Sequence, residues 1–281
     1  MKNQLCVLFL FVGLIVSFNS CKQLVQETES PKFITIDGPD LIAPSGEKLF
    51  IQGINLGNWL NPEGYMFQFR KTSSARLIDQ AFREMAGPDF TNEFWKLFKD
   101  NYITREDIQY IKSAGVNSIR LPFHYKLFTD EDYMGLSANQ DGFERIDSLL
   151  SWCSKAELYV ILDMHDAPGG QTGDNIDDSY GYPWLMVSEK SQELFVGIWR
   201  EIADRYKDEP LILGYDLLNE PIATYFGDEI PELNKQLEPL YMRAVAAIRE
   251  VDKNHIVLLG GAQWNSNFSI FTDSKFDDNI M

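Results

Sequence analysis

The residues best suited to chemistry close one apolar run, Leu211-Ile-Leu-Gly-Tyr-Asp-Leu-Leu-Asn-Glu-Pro221. Such a run is what a parallel strand covered on both faces looks like. A carboxylate at the mouth of a buried strand costs free energy unless it is paired or used. Glu220 is therefore the candidate proton donor and acceptor. Pro221 brings no ladder N–H and biases Glu220 toward extended backbone, so the strand is expected to stop there. Asn219 and Glu220 are neighbours, and a regular strand sends neighbours to opposite faces. Both reach one pocket only if the backbone turns or bulges at that point. The plainer alternative is a loop glutamate beside an Asn-x-Pro turn.

Other apolar runs end in side chains of compatible chemistry. The first leads to Asn58, Trp59 and Glu63, the second carries Arg120, the third ends at His165, and the fifth stops near Gln263, Trp264 and Asn265. Arg120 could hold a neighbouring carboxylate ionised. His165 could hydrogen-bond a hydroxyl or a carboxylate. Trp59 and Trp264 could stack on the apolar faces of sugar rings while their N–H groups reach a partner. Each has a plainer alternative. Arg120 suits a structural ion pair, and Trp184 suits a loop anchor. Asp163-x-His165 could ligate a metal, but no second histidine lies nearby in sequence and the pattern is weak. No metal and no cofactor is expected.

The elements that must position these residues alternate in type. Phe33–Ile36 and Leu49–Ile51 flank a Gly-, Pro- and Ser-rich connection and suggest a hairpin. Strands are then expected at Ile51–Leu60, Val116–Pro122, Leu158–Met164, Leu211–Glu220 and His255–Gly260. Helical patterns lie between them, at 72–87, 91–99, 105–114, 143–155, 189–206 and 233–251. Thr104 is placed to cap the third of these, and Phe143, Ile146, Leu149, Leu150 and Cys153 form one apolar face of the fourth. Five alternations argue for a parallel sheet with helical crossovers, and polar residues gathered after the strands favour an α/β barrel. A doubly wound open sheet is the alternative, but no Gly-rich phosphate loop follows the first strand.

Composition narrows the partners. The 281 residues are 44% hydrophobic and carry 42 acidic against 25 basic side chains, a formal net charge of −17. So acidic a chain suits neither nucleic acid nor an anionic membrane surface. Residues 1–20 have the form of a signal peptide: Lys2, an apolar run from Leu5 to Val16, then small residues before Cys21. That pattern suits a bacterial lipoprotein with Cys21 lipidated, or plain secretion, and the membrane is approached only through the lipid. Residues 21–32 are polar and form a tether. With Cys6 in the leader and Cys21 lipidated, Cys153 alone remains, so the exported domain, 33–281, is expected to hold no internal disulfide.

Four stretches together resemble glycoside hydrolase family 5, the cellulase family of retaining (β/α)8 TIM-barrel glycosidases. They are Gly53-Ile-Asn-Leu-Gly-Asn-Trp-Leu60, Gly115-Val-Asn-Ser-Ile-Arg-Leu-Pro122, Leu162-Asp-Met-His-Asp-Ala-Pro-Gly-Gly-Gln171 and Leu217-Leu-Asn-Glu-Pro221. The resemblance implies that Glu220 is the acid/base and that Asn219 binds the hydroxyl beside the reacting carbon. It implies that Arg120 and His165 support the site of cleavage. The opening motif looks closest to the exo-β-glucanase-like branch, in which an acid at the position of Glu63 contacts the terminal sugar. The substrate implied is a β-linked glucan or related plant polysaccharide. The family's nucleophile is a Glu ending a seventh strand. After Glu220 come Glu229, Glu232, Glu238 and Glu250, none at an expected strand end. The expectation is therefore an incomplete barrel of about the first five βα units, C-terminally truncated and inactive by the two-carboxylate route. A catalytically inactive glycan-binding surface protein is the alternative from another functional class.

Overall fold

The computed structural model of the chain describes residues 33–136, 141–174, 176–272 and 279–281. The leader, Cys21 and the tether lie outside the described residues. Three short strands, β1 (Thr35–Asp37), β2 (Asp40–Ile42) and β3 (Lys48–Leu49), form an antiparallel sheet in that order. The connection expected to be a single hairpin loop thus holds a strand of its own. Gly38, at φ 58°, lets the chain reverse between Asp37 and Asp40.

The main sheet is parallel and runs in chain order: β4 (Gly53–Asn55), β5 (Ser118–His124), β6 (Tyr159–Asp166), β7 (Ile212–Asp216) and β8 (Ile256–Leu258). Helices α1 (Ala75–Ala86), α2 (Pro88–Asn101), α3 (Arg105–Ser113), α4 (Asp141–Ala156), α5 (Glu189–Tyr206) and α6 (Ile230–Val251) occupy the crossovers. An unbroken spatial order is the connectivity of consecutive βα units of a (β/α)8 barrel. A doubly wound sheet would reverse its order at a switch point. Among the described residues there are five such strands with four helical crossovers between them.

Local sequence sets most of these elements. Thr104 and Asp107 form a reciprocal capping box at the start of α3. The expected apolar face of α4 is buried along its length, including Cys153, whose thiol burial pushes up to about 12. Gly214 is needed inside β7, since a Cβ there would sit 2.5 Å from the Ile256 carbonyl oxygen of the next strand.

Two features position the strand ends. Trp199 of α5 is fully buried against Phe123 and Tyr215, each at 5.8 Å between ring centroids, and donates its indole N–H to the Leu217 carbonyl at 3.1 Å. The helix layer is thereby tied to the backbone just before Asn219. The second feature is a bulge in the β5–β6 ladder. Phe123 pairs with Met164 but His124 pairs with Asp166, leaving His165 as the extra residue. We expect Trp199→Ala to lower stability by about 3–5 kcal/mol. A urea denaturation midpoint checks this, with the slope unchanged if the effect is confined to the folded core.

Candidate active site

A cleft of about 710 Å³ opens at the ends of the parallel strands. Glu63, Arg120, His165, Asn219 and Glu220 all line it, together with Asn55, Tyr65, Asp166, Asp177 and Asn265. The neighbours Asn219 and Glu220 share the cleft because the backbone turns between them. Hydrogen-bonding of β7 as a regular strand stops at Asp216, short of the expected end at Glu220. Leu217 and Asn219 still donate their N–H groups to Leu258 and Met164 on either side, at 3.1 and 3.2 Å. Glu220 then turns to φ 45°, and Ile222 to φ 57°. This corrects the extended backbone expected of a residue before proline. Left-handed φ is unusual for both residue types, and such strain persists only where surrounding contacts over-determine it. Here the loop after β6 supplies them. Gln171 donates to the carbonyls of His165 and Asn219 at 2.7 and 2.8 Å, and its own backbone carbonyl accepts the Ile222 N–H at 2.8 Å.

Arg120 is the hub. Its Nε donates to Asp216 Oδ2 at 2.9 Å and its Nη2 to Asn219 Oδ1 at 3.1 Å. The same Nη2 lies 2.7 Å from Asp216 Oδ2 and 3.0 Å from Asp163 Oδ1, the latter an ionic contact without hydrogen-bond alignment. One guanidinium thus joins β5, β6, β7 and the Asn219 turn. Burial raises the Asp216 carboxyl to about 6, reinforced by the Asp163 charge and opposed by Arg120. Asp163 Oδ2 holds His165 Nδ1 at 2.7 Å, which directs Nε2 toward Asn219 Nδ2 at 3.4 Å and Glu63 Oε1 at 3.8 Å. Burial works against the His165 imidazolium, but the Asp163 and Glu63 carboxylates outweigh it and raise its pKa. Burial also raises Glu63, with His165 and a hydrogen bond to Tyr65 partly offsetting it.

Two expected site residues lie elsewhere. Trp59 is fully buried, stacked on Trp152, and donates its indole N–H to the Lys99 carbonyl at 2.9 Å. It packs the core and offers no face to a ligand. Trp264 is half-buried and does not line the cleft. Gln263, Trp264 and Asn265 follow one another at φ 49°, 61° and 60°, and this left-handed coil carries Asn265 to the cleft instead. Reciprocal hydrogen bonds between the Gln263 and Asn234 amides fasten the coil. Asp216, Gln171, Tyr65 and Asp166 were not singled out for the site from sequence. A charged Asp216 inside an apolar run was a signal. Gln171, in a long loop, had no signal beyond closing one of the four family-like stretches.

The cellulase model of glycosyl hydrolase family 5 matches residues 64–281.

The chain belongs to glycosyl hydrolase family 5.

It is 31% identical over 244 residues to a beta-xylosidase of Phanerodontia chrysosporium, covering 86% of this chain and 49% of that protein. It is 34% identical over 188 residues to endoglucanase C of Acetivibrio thermocellus, covering 67% of this chain and 51% of that protein. The family 5 chain thus spans about half the length of these curated relatives. Among solved structures, endoglucanase Cel5A of Thermotoga maritima superposes with a TM-score of 0.51 at 25% identity, covering 82% of this chain and 58% of that one. A rutinosidase from Aspergillus niger gives 0.61 at 19% identity over 75% of this chain and 62% of that one, a likeness of fold alone.

The Arg120 hub makes a pH-dependent prediction. With a folded pKa of about 6 against an ordinary 3.8, Asp216 binds its proton more tightly in the folded chain. Its contribution to stability is present below the ordinary value and is lost as pH rises through the folded one. Removing the guanidinium raises that folded pKa further. Arg120→Leu should therefore cost roughly 3–5 kcal/mol near neutral pH, and less near pH ~4. Urea denaturation at both pH values reads the difference. Equal losses would mean that the guanidinium does not lower the Asp216 pKa in the folded chain.

Proposed function

We propose that this chain carries the acid/base half of a retaining β-glycosidase acting on a β-linked glucan or related plant polysaccharide. The observation that carries the reading is the convergence of Asn219 and Glu220 with Arg120, His165 and Glu63 in one cleft. In this reading Glu220 protonates the leaving oxygen while a second carboxylate attacks the anomeric carbon. Glu220 then deprotonates the water that releases the sugar. Asn219, fixed by Arg120, binds the hydroxyl beside the reacting carbon. Glu63, close to His165 and Tyr65, contacts the terminal sugar. The relatives' names and a Thermotoga maritima Cel5A structure with bound cellobiose support a β-glycan as substrate class. The leader and Cys21 support export and a lipid anchor at the cell surface, or secretion.

A glycan-binding protein without turnover is the second reading. It is favoured by the engagement of two carboxylates in the cleft: Asp177 accepts two backbone N–H groups, and Glu63 faces His165 and Tyr65. One experiment separates the two. In the full-length protein we expect hydrolysis of β-glucans, with Glu220→Gln lowering turnover by about 10²–10⁴-fold. An aryl glycoside whose leaving group needs no protonation should lose much less in the glycosylation step. Reducing-sugar release and single-turnover aryl release measure the two. Unchanged polysaccharide turnover in Glu220→Gln would refute the acid/base role. Binding without turnover in the unaltered protein would select the second reading.

A further inference from the structure

Glu220 owes its left-handed turn to the two residues after Pro221. Ile222 and Ala223 donate their N–H groups to the carbonyls of Gln171 and Thr172, each at 2.8 Å. Thr172 is held in turn from further along the loop after β6. Asp177 accepts the Thr172 and Ser179 N–H groups at 2.7 and 3.0 Å, which closes the loop on itself. Such a loop still needs ties to the elements around it, because backbone without them opens locally at little cost. The next residue, Asp178, makes such a tie. It is buried and does not line the cleft. Its Oδ1 accepts the Arg76 N–H at 3.1 Å in the first turn of α1, and its Oδ2 faces His124 Nε2 at 3.1 Å at the end of β5. His124 is set for that bond. Its ring is fully buried and stacked on Tyr125 and Tyr133, at 4.9 and 4.2 Å between centroids. Its Nδ1 accepts the Lys126 N–H at 3.1 Å, so the proton sits on Nε2 and is donated to Asp178. The Lys126 ammonium stands 3.6 Å from the same carboxylate. Arg76 grips the loop a second time, its guanidinium lying 3.9 Å from the centre of the Tyr180 ring.

Burial works against the Asp178 carboxylate, but the hydrogen bond from His124 and the Lys126 charge outweigh it and hold its carboxyl well below the usual range. Asp178 therefore keeps its charge near neutral pH, and bonds to a charged acceptor are the stronger kind. A continuous run of contacts follows. Asp178 is fixed to β5 and α1, its neighbour Asp177 holds Thr172, and Thr172 holds Ala223 beside the Glu220 turn. We infer that Asp178 is a positioning residue for Glu220: it sets the loop after β6, and the loop sets the turn. A strained backbone keeps its conformation only while its neighbours over-determine it. Displacing a reacting group by about 1 Å can cost about 10²-fold in rate. This role rests on the glycosidase reading and adds to it a residue outside the cleft on which proton donation depends.

The test follows the glycosylation step in single turnovers of the full-length protein. Two substrates are compared: cellotetraose or laminaritetraose, whichever is cleaved faster, and a dinitrophenyl β-glycoside of the same linkage, whose leaving group needs no proton. Asp178→Ala should slow cleavage of the oligosaccharide about ten- to a hundredfold, and release of dinitrophenol less than about threefold. In a protein already carrying Glu220→Gln, Asp178→Ala should slow oligosaccharide cleavage less than about threefold, since with the acid gone nothing is left to position. Asp178→Asn keeps the side-chain shape and an acceptor for the Arg76 N–H. It should show the same pattern at smaller size, and it carries the comparison if the alanine variant does not fold. Equal slowing of both substrates, slowing that multiplies with that of Glu220→Gln, or full activity in the folded variant would overturn the role while leaving the glycosidase reading standing. Oligosaccharide cleavage unimpaired by Glu220→Gln alone would sink both.

Discussion

One guanidinium organises the cleft. Arg120 reaches carboxylates on two neighbouring strands and the amide oxygen of Asn219, so one cation bridges the ends of three strands. Asp163 and Asp216 stand on adjacent strands in register, and two buried carboxylates so placed repel one another. The cation makes the pair tolerable, and the pair in turn makes a buried arginine tolerable. His165 inherits its orientation from the same network, since Asp163 holds its Nδ1 while Nε2 is turned to the cleft.

Irregular backbone does the remaining work of aiming side chains. A parallel strand presents every second residue to one face, which is too sparse for a crowded site. Three local departures raise that density. The bulge puts both His165 and Asp166 on the cleft, the left-handed turn puts Glu220 beside Asn219, and the coil after β8 brings Asn265 inward. Each is fastened from outside its own strand: the first two by Gln171, the third by Asn234. The loop after β6 is therefore structural as well as a cleft wall, since Gln171 bonds the ends of two strands and Thr172 and Asp177 line the opening.

The alternation of elements, the capped helix at Arg105 and the apolar face of α4 were legible in the sequence because they are local. Capping chemistry and hydrophobic period act over a few residues. The family was legible for a similar reason, through short motifs whose residue types are tied to the chemistry they perform. Arg120, His165, Asn219, Glu220 and Glu63 could be named, and the need for a turn at Asn219–Glu220 followed from the two-residue period of a strand. The two tryptophans show the limit. Composition marks an indole as apt for stacking on sugars, but it is as apt for a core, and only the packing of Trp59 against Trp152 decides between them.

What the tertiary structure alone decided is pairing across long separations. Asp216 became a partner of Arg120 through a contact 96 residues apart, and Gln171 became a staple through one 48 residues apart. No local pattern encodes such a meeting, because it depends on strand register and on where each chain segment departs from regular geometry. The sequence by itself determined the kinds of element, their order and the chemical repertoire at the strand ends. Tertiary structure decided which members of that repertoire share a cavity, because burial, register and backbone sign are properties of neighbours brought together by folding.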